Sequence, residues 1–430
     1  MEYILFAAYL VLMAWLVTKS SFFTKTGLSK PQLVIIFLLK VIAGIFYGWM
    51  GHYYGNFAQM VDTWNYHHGS LEEYQLLLDN PNEYLTNLFQ NNYDTTGLRS
   101  FFGSKDSYWN DLKANVFIKL LSVFNIFSFG HYYVNVIFYA FISLFGPMAI
   151  YRVMTDAVPR QKQLVLVTTF FIPSFFYWSS GIHKEGLIFI GIALIVYNIY
   201  FLNKGKKKLL AALPGILTGL LIFLLLRNFV LALIAPAILA WVLANKWPKY
   251  ALTSFAAVYI CFGVCFFGLR HIVPGFDLPQ AVVSKQKAFI QLVGNSSIPI
   301  EELEPTAASF IKNMPQAITL SSVRPYPSDV HHLLSLAAAI ETHLILLLLL
   351  LFLLFPRRNI TESKNLLYFC CFFSFSLLLA IGFSVNNLGA IVRYRSVILP
   401  LVVTLMAVHT NWTRIISFFG QFKKNNNLNK

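Results

Sequence analysis

The sequence predicts an all-α polytopic membrane helix bundle of about eleven transmembrane helices, and three observations carry that reading. Of its 430 residues, 57% are hydrophobic and only 12% charged, about half the charged fraction of an ordinary soluble domain. The apolar residues also run on without interruption instead of recurring every helical turn, as in IETHLILLLLLLFLLF from Ile340 to Phe355. Runs of about 18–20 residues match a hydrocarbon core roughly 30 Å thick. Finally, Lys and Arg gather in the short connectors between these runs, where a membrane protein keeps them.

In order, spans are expected near 3–18, 31–52, 132–151, 163–180, 185–203, 209–226, 229–245, 250–269, 333–355, 365–384 and 395–411, all within one integral membrane domain, 1–430. The opening run MEYILFAAYLVLMAWLV has neither a basic leader nor a small-residue cleavage site, so it is expected to be a retained span. Cys261, Cys265, Cys370 and Cys371 all lie inside apolar runs. They form neither a secreted disulfide framework nor a zinc loop, and packing is their expected role.

Charge sets the expected orientation. One set of connectors carries nineteen cations, among them Lys19, Lys25, Lys30, Arg152, Arg160, Lys162, Lys204, Lys206, Lys207, Lys208, Lys246, Lys249, Arg357, Arg358 and Lys364, with Arg414, Lys423, Lys424 and Lys430 in the tail. With eleven spans these connectors fall on one side. The N-terminus is then outside and the tail, 412–430, cytoplasmic. The net charge of +15 is thereby explained without nucleic acid, which is excluded as a partner.

Two long extracytoplasmic loops are expected opposite, at 53–131 and 270–332. The first holds Arg99, Lys105, Lys113 and Lys119 against eight acids. Within it Leu71, Tyr74, Leu77 and Leu78 share one helical face, and Leu112, Val116, Lys119, Leu120 and Phe124 share another. Both segments are expected as amphipathic helices on the membrane surface. For the first of them, a soluble helical cap fits the pattern equally well.

The polar residues gather at the outer junctions. Span two runs into MVDTWNYHHGS, with Asp62, His67 and His68; spans four and five meet at YWSSGIHKEGL, with His183, Lys184 and Glu185; spans six and seven meet at LLLRNFV, with Arg227. The loop before span nine reads SSVRPYPSDVHH, with Arg324, and spans ten and eleven meet at VNNLGAIVRYRSVILP, with Arg393 and Arg395. A charge near the bilayer costs about 2–3 kcal/mol toward the centre unless it pairs or faces water. Five such junctions therefore point to a shared wet pocket, while headgroup anchoring is the ordinary role for any single arginine.

Arginines and a lysine around an isolated carboxylate suit phosphate or pyrophosphate binding beside a general base. Asp62 is the candidate base, with His67, His183, Lys184, Glu185, Arg227, Arg324, Arg393 and Arg395 as candidate substrate-binding residues. Arg393 and Arg395 sit at i and i+2, so at most one is expected to face a common cavity. No cofactor is expected. A divalent metal on Asp62, His67 and His68 is disfavoured because adjacent histidines point in different directions. Lys40 and Glu341 are intramembrane ions, expected to pair with a neighbouring helix. GxxxxGK[ST], HExxH and GxSxG are all absent. Nucleotide sugars and ATP do not reach the outer face, so a transferase there would draw a lipid-linked donor from the membrane.

This layout resembles the GT-C superfamily of membrane glycosyltransferases. The likeness rests on the long first outer loop, the acid in MVDTWNYHH and the basic RYRSVILPL opening the last span. SSGIHKEGL and LGAIVRYRS also resemble integral membrane proteins of surface-polysaccharide loci in Bacteroidetes-type bacteria. The resemblance implies a bacterial inner-membrane enzyme that inverts a sugar taken from a polyprenyl-phosphate donor, on a glycan or protein acceptor. Asp62 would be the base, and basic outer-loop residues would hold the lipid phosphate. Here the acid follows the second span, not the first as in most of that family, and DTWNYHH contains no partner acid. Two further readings stay open: an O-antigen-type polysaccharide polymerase or ligase, and a transporter or flippase of a lipid-linked glycan with its site nearer the midplane.

Overall fold

The computed structural model describes residues 2–54, 62–89, 108–273, 275–292, 294, 296–357 and 364–418, which fold as helices joined by short connections, with no β-strand among them. Arg99, Lys105, Arg358, Lys423, Lys424 and Lys430 lie outside the described residues, as do Met60 and Val61 of the MVDTWNYHH segment.

Helices α1 (Glu2–Lys19) and α2 (Lys30–Tyr53) are followed by α3 (Asp62–Asp79) and α4 (Tyr108–Ser128) in the first long connection. Next come α5 (Tyr132–Ser143) and α6 (Phe145–Ala157), which together make one apolar run of 26 residues, and the short α7 (Lys162–Phe170) and α8 (Pro173–Ser180). Then follow α9 (Lys184–Asn203), α10 (Leu209–Leu226), α11 (Asn228–Lys246) and α12 (Ala251–Ile272). The second long connection contributes α13 (Leu278–Ile290) and α14 (Ala307–Ser322), and the chain closes through α15 (Leu333–Leu354), α16 (Lys364–Ser384), α17 (Leu388–Ser396) and α18 (Leu399–His409).

Among the described residues, nine helices are long and apolar enough to cross a membrane, and a tenth is added if the bent pair α17–α18 counts as one span. The expected single helix at 163–180 is instead split into α7 and α8. The break falls at Phe171 and Ile172, with Ile172 extended at φ −69° and ψ 119°. Pro173 explains this, because it has no N–H to donate and its ring steers the preceding residue out of the helical region. The expected helix at 395–411 likewise begins earlier, at Leu388, and bends by 66° before Leu399 and Pro400.

Burial sorts the spans into centre and rim. The apolar stretch of α5–α6 is 78% buried and that of α9 72%, against 6% for α1 and for α12. Helices apolar on every side at the rim face lipid. Small residues let the centre close up: a Cβ on Gly219 of α10 would stand 2.8 Å from the carbonyl of Gly191 on α9, the packing that membrane helices use in place of a hydrophobic drive.

The helix α3 turns a polar face inward. Thr63, His67 and Ser70 are its buried residues. The Thr63 and Tyr132 hydroxyls lie 2.7 Å apart, Asn125 of α4 donates to the carbonyl and hydroxyl of Ser70 at 3.0 Å each, and Asn135 of α5 donates to Asn125 at 2.6 Å. These bonds fix where α3 begins, and therefore where Asp62 stands. The expected leucine face is only half-buried, and Leu78 is exposed. In α4 the inward face centres on Phe117, Leu121 and Phe124, rotated by about one residue from the expected stripe.

Candidate functional site

Four chain breaks converge on one cluster. His183 is the extended residue before α9, with φ −152° and ψ 158°, and its carbonyl accepts from the buried hydroxyl of Tyr139. It is reached through the tight turn Ser180–Gly181–Ile182. A Cβ on Gly181 would stand 2.1 Å from the Tyr47 ring, so no larger residue fits there without displacing that ring. Lys184 and Glu185 open α9, and a carboxylate in a first turn is favoured by the exposed N–H groups of the helix end.

Glu185 is the hub of the cluster. Its carboxylate, 1% exposed, accepts from Arg227 Nη2 at 2.7 Å, lies 3.7 Å from Arg393 Nε and contacts His183 Nδ1. Arg227 arrives because α10 and α11 are joined through this one residue, extended at φ −159° and ψ 78°. Its guanidinium lies over the Tyr394 ring at 4.2 Å.

Asp62 and Arg393 form the outer half. Arg393 Nη1 donates to Asp62 Oδ2 at 2.7 Å, and the same oxygen lies 3.4 Å from His183 Nε2. The Asp62 side chain is 45% exposed, so the carboxylate is held at its inner edge and open at its outer one. The hydrogen bond with His183 and the charge of Arg393 hold its carboxyl well below the usual carboxylate range, overcoming the opposite push of burial. Lys184 lies over the Tyr66 ring at 5.0 Å and has no carboxylate within ion-pair distance among the described residues. Lys113 of α4 is nearby in electrostatic terms; burial and the charge of Lys285 push its ammonium down to about 8.

Asp62, His183, Lys184, Glu185, Arg227 and Arg393 therefore meet. Lys184, Arg227 and Arg393 face two carboxylates, so with Lys184 protonated the cluster carries one excess positive charge even with a neutral imidazole. An anion would be attracted to it, next to a carboxylate able to accept a proton.

The structure does not bring His67, Arg324 and Arg395 into this cluster. Five residues after Asp62, His67 has turned about 140° round α3 and is buried against Trp64 and Tyr132, with ring centroids at 5.8 and 5.2 Å. Arg324 pairs with Asp329 at 3.4 Å and lies over Tyr326. Arg395, 3% exposed, donates to the carbonyls of Ser321 at 3.0 Å and Arg324 at 2.7 Å and to the Thr342 hydroxyl. Two residues apart on α17, Arg393 and Arg395 face opposite ways. No group of three or more His, Cys, Asp or Glu among the described residues is placed to hold a metal ion.

Sequence reasoning passed over the aromatic walls. Trp178, Tyr47 and Tyr66 surround His183 at 6.2, 6.4 and 5.9 Å between centroids, and Trp178 and Tyr394 flank Arg393 at 5.6 and 5.1 Å. The available signal was the aromatic beside each charge, as in TWNY, FYW and RYR. Burial, with the charge of Asp62, pushes the Tyr66 phenol upward, so it stays protonated. Compared with known proteins, the chain matches no family model, no curated protein and no solved structure.

Proposed function

We infer that the chain is a membrane glycosyltransferase. It moves a sugar from a polyprenyl-phosphate donor to a glycan or protein acceptor on the extracytoplasmic side of a bacterial inner membrane, in cell-surface glycan synthesis. The observation that carries this reading is the half-open carboxylate of Asp62 at the edge of a cluster in which cations outnumber acids. The acceptor hydroxyl attacks the anomeric carbon, its proton passes to Asp62, and the bond from that carbon to the phosphate oxygen breaks with the electron pair leaving on the phosphate. Lys184, Arg227 and Arg393 hold the phosphate and offset the charge it gains. Asp62 is a weak base while Arg393 grips it; when the guanidinium turns toward the donor phosphate, the carboxylate recovers its basicity.

In this reading α7 and α8 together make a further crossing, and the chain crosses eleven times with its N-terminus outside and its C-terminus in the cytoplasm. The cations of the short connectors support that orientation, and 53–131 and 270–332 then lie outside with the cluster.

The low basicity of Asp62 favours one alternative, a polysaccharide polymerase or ligase acting on a lipid pyrophosphate without a carboxylate base. Comparing surface glycans and lipid-linked intermediates in cells carrying the wild type, Asp62→Asn or Arg393→Ala separates the two. The transferase reading expects both variants to lose product and accumulate donor. Retained product in Asp62→Asn with loss in Arg393→Ala supports the alternative, and unchanged profiles in both contradict either enzyme.

A further inference from the structure

Two buried charges grip the ends of one short helix behind the cluster. Lys40, on α2, is 2% exposed; its Nζ donates to the Ser179 carbonyl at 2.9 Å and to the Ser179 and Ser180 hydroxyls at 3.2 Å each. An ammonium has three N–H groups, and all three are used. Glu341, on α15 and 6% exposed, accepts from the Ser174 backbone N–H and hydroxyl at 2.6 Å each, one on each carboxylate oxygen. Both sets of partners belong to α8, Ser174 at its start and Ser179 and Ser180 at its end.

The signs fit the helix. Pro173 has no N–H, so Ser174 offers the first free amide of α8, where a carboxylate is favoured, and the last carbonyls favour a cation. Neither ion pairs with the other. A bare charge inside a bilayer costs at least about 2–3 kcal/mol, and that cost is offset here by fastening an eight-residue helix cut off from α7 by its own proline. Helix α8 carries Trp178 against Arg393 and leads in three residues to His183. Behind it, Arg395 donates to Thr342, the neighbour of Glu341, so α17 is braced against the same frame.

We propose that Lys40 and Glu341 are positioning residues: from two different spans they clamp α8 at both ends and so hold the His183 turn in register with Asp62, Glu185 and Arg393. Their part in turnover rests on the transferase reading, whereas the clamp itself does not. The ammonium of Lys40 has no N–H left over to serve a transport path.

Hydrogen–deuterium exchange on the full-length protein in lipid nanodiscs tests the clamp without any assumption about activity. In Lys40→Met, amides from 178 to 186 are expected to exchange about tenfold faster, while those in the middle of α9 keep their wild-type rate. In Glu341→Gln the acceleration is expected at 174–176. If Lys40→Met does not fold, the double variant Ser179→Ala/Ser180→Ala removes two of the three acceptors and is expected to give a smaller change at the same amides. Unchanged exchange in folded variants, or equal acceleration throughout α9, overturns the clamp. In a transfer assay, Lys40→Met is expected to lower kcat about tenfold, with a rise in donor KM smaller than that of Lys184→Ala, because every phosphate-holding side chain is retained; a raised KM with normal kcat counts against positioning. A wild type that transfers no sugar sinks the transferase reading, and the exchange result still decides the clamp.

Discussion

Arg393 and Asp62 are 331 residues apart in sequence, yet a guanidinium nitrogen of one lies 2.7 Å from a carboxylate oxygen of the other. The first residue of α3 and the short, bent-off α17 are thus fastened across the whole fold. Glu185, from a third helix, faces the same guanidinium, and Arg227 from a fourth junction completes the set.

Glu185 is the acid on which the cluster depends. Removing it leaves Arg227, Arg393 and His183 facing one another in a buried place. Glu185→Ala is expected to destabilise the fold by about 3–5 kcal/mol, the range for breaking a buried ion pair from one side. Unfolding in mixed micelles measures this, and a loss below about 1 kcal/mol would assign Glu185 to a solvated rim.

Arg227 both pairs with Glu185 and stacks on Tyr394. A lysine keeps the charge but offers neither the planar face nor the fork of donors. Arg227→Lys is therefore expected to weaken binding of a prenyl phosphate about tenfold. Equal affinity in titration calorimetry would show that only charge matters at this position.

Two groups outside the spans give pH signatures of the same sign in different windows. Burial, then the neighbouring His68, push His67 down to about 4, below its unfolded value of about 6.5. The unfolded chain binds the extra proton between those values, so stability rises from pH 4 to about 6.5 and is flat above. His67→Phe is expected to remove that slope, on the order of 1–3 kcal/mol, in thermal melts taken across the window. A slope that survives the substitution would place its origin elsewhere.

Asp62 acts in the lower window. Its carboxyl is held below the unfolded value by His183 and Arg393, so its contribution to stability is present above about pH 4 and disappears only as pH falls further. An acidic limb in kcat/KM above about pH 5 is therefore not expected from Asp62 in the free protein. Asp62→Asn is expected to retain any such limb in its residual activity, and loss of the limb would contradict the assigned charge state.

Hydropathy made nine spans legible, because each is a long apolar run needing no tertiary context. The expected span at 163–180 takes no account of Pro173, and the structure breaks the helix there. Junction charges identified Asp62, His183, Lys184, Glu185, Arg227 and Arg393, since a charge forced to the bilayer edge needs company whatever the fold. What the residues did not reveal was which charges keep company with which. Arg324 finds a nearby carboxylate in Asp329, Arg395 the distant carbonyls of Ser321 and Arg324, and His67 is carried away by helical rotation. Lys40 and Glu341 are each expected to pair with a neighbouring helix; that both reach the same one, at opposite ends of α8, is not part of that expectation. Their partners are main-chain and hydroxyl groups, which leave no charge pattern in a sequence.

The most direct measurement is binding of farnesyl phosphate to purified protein in micelles, compared across Lys184→Ala, Arg227→Ala, Arg393→Ala and the outlying Arg324→Ala. The first three are expected to weaken binding by about tenfold or more each, and Arg324→Ala to leave it at the wild-type value. Loss confined to Arg324→Ala, with the three cluster variants binding normally, would contradict an anion site at these helix tips.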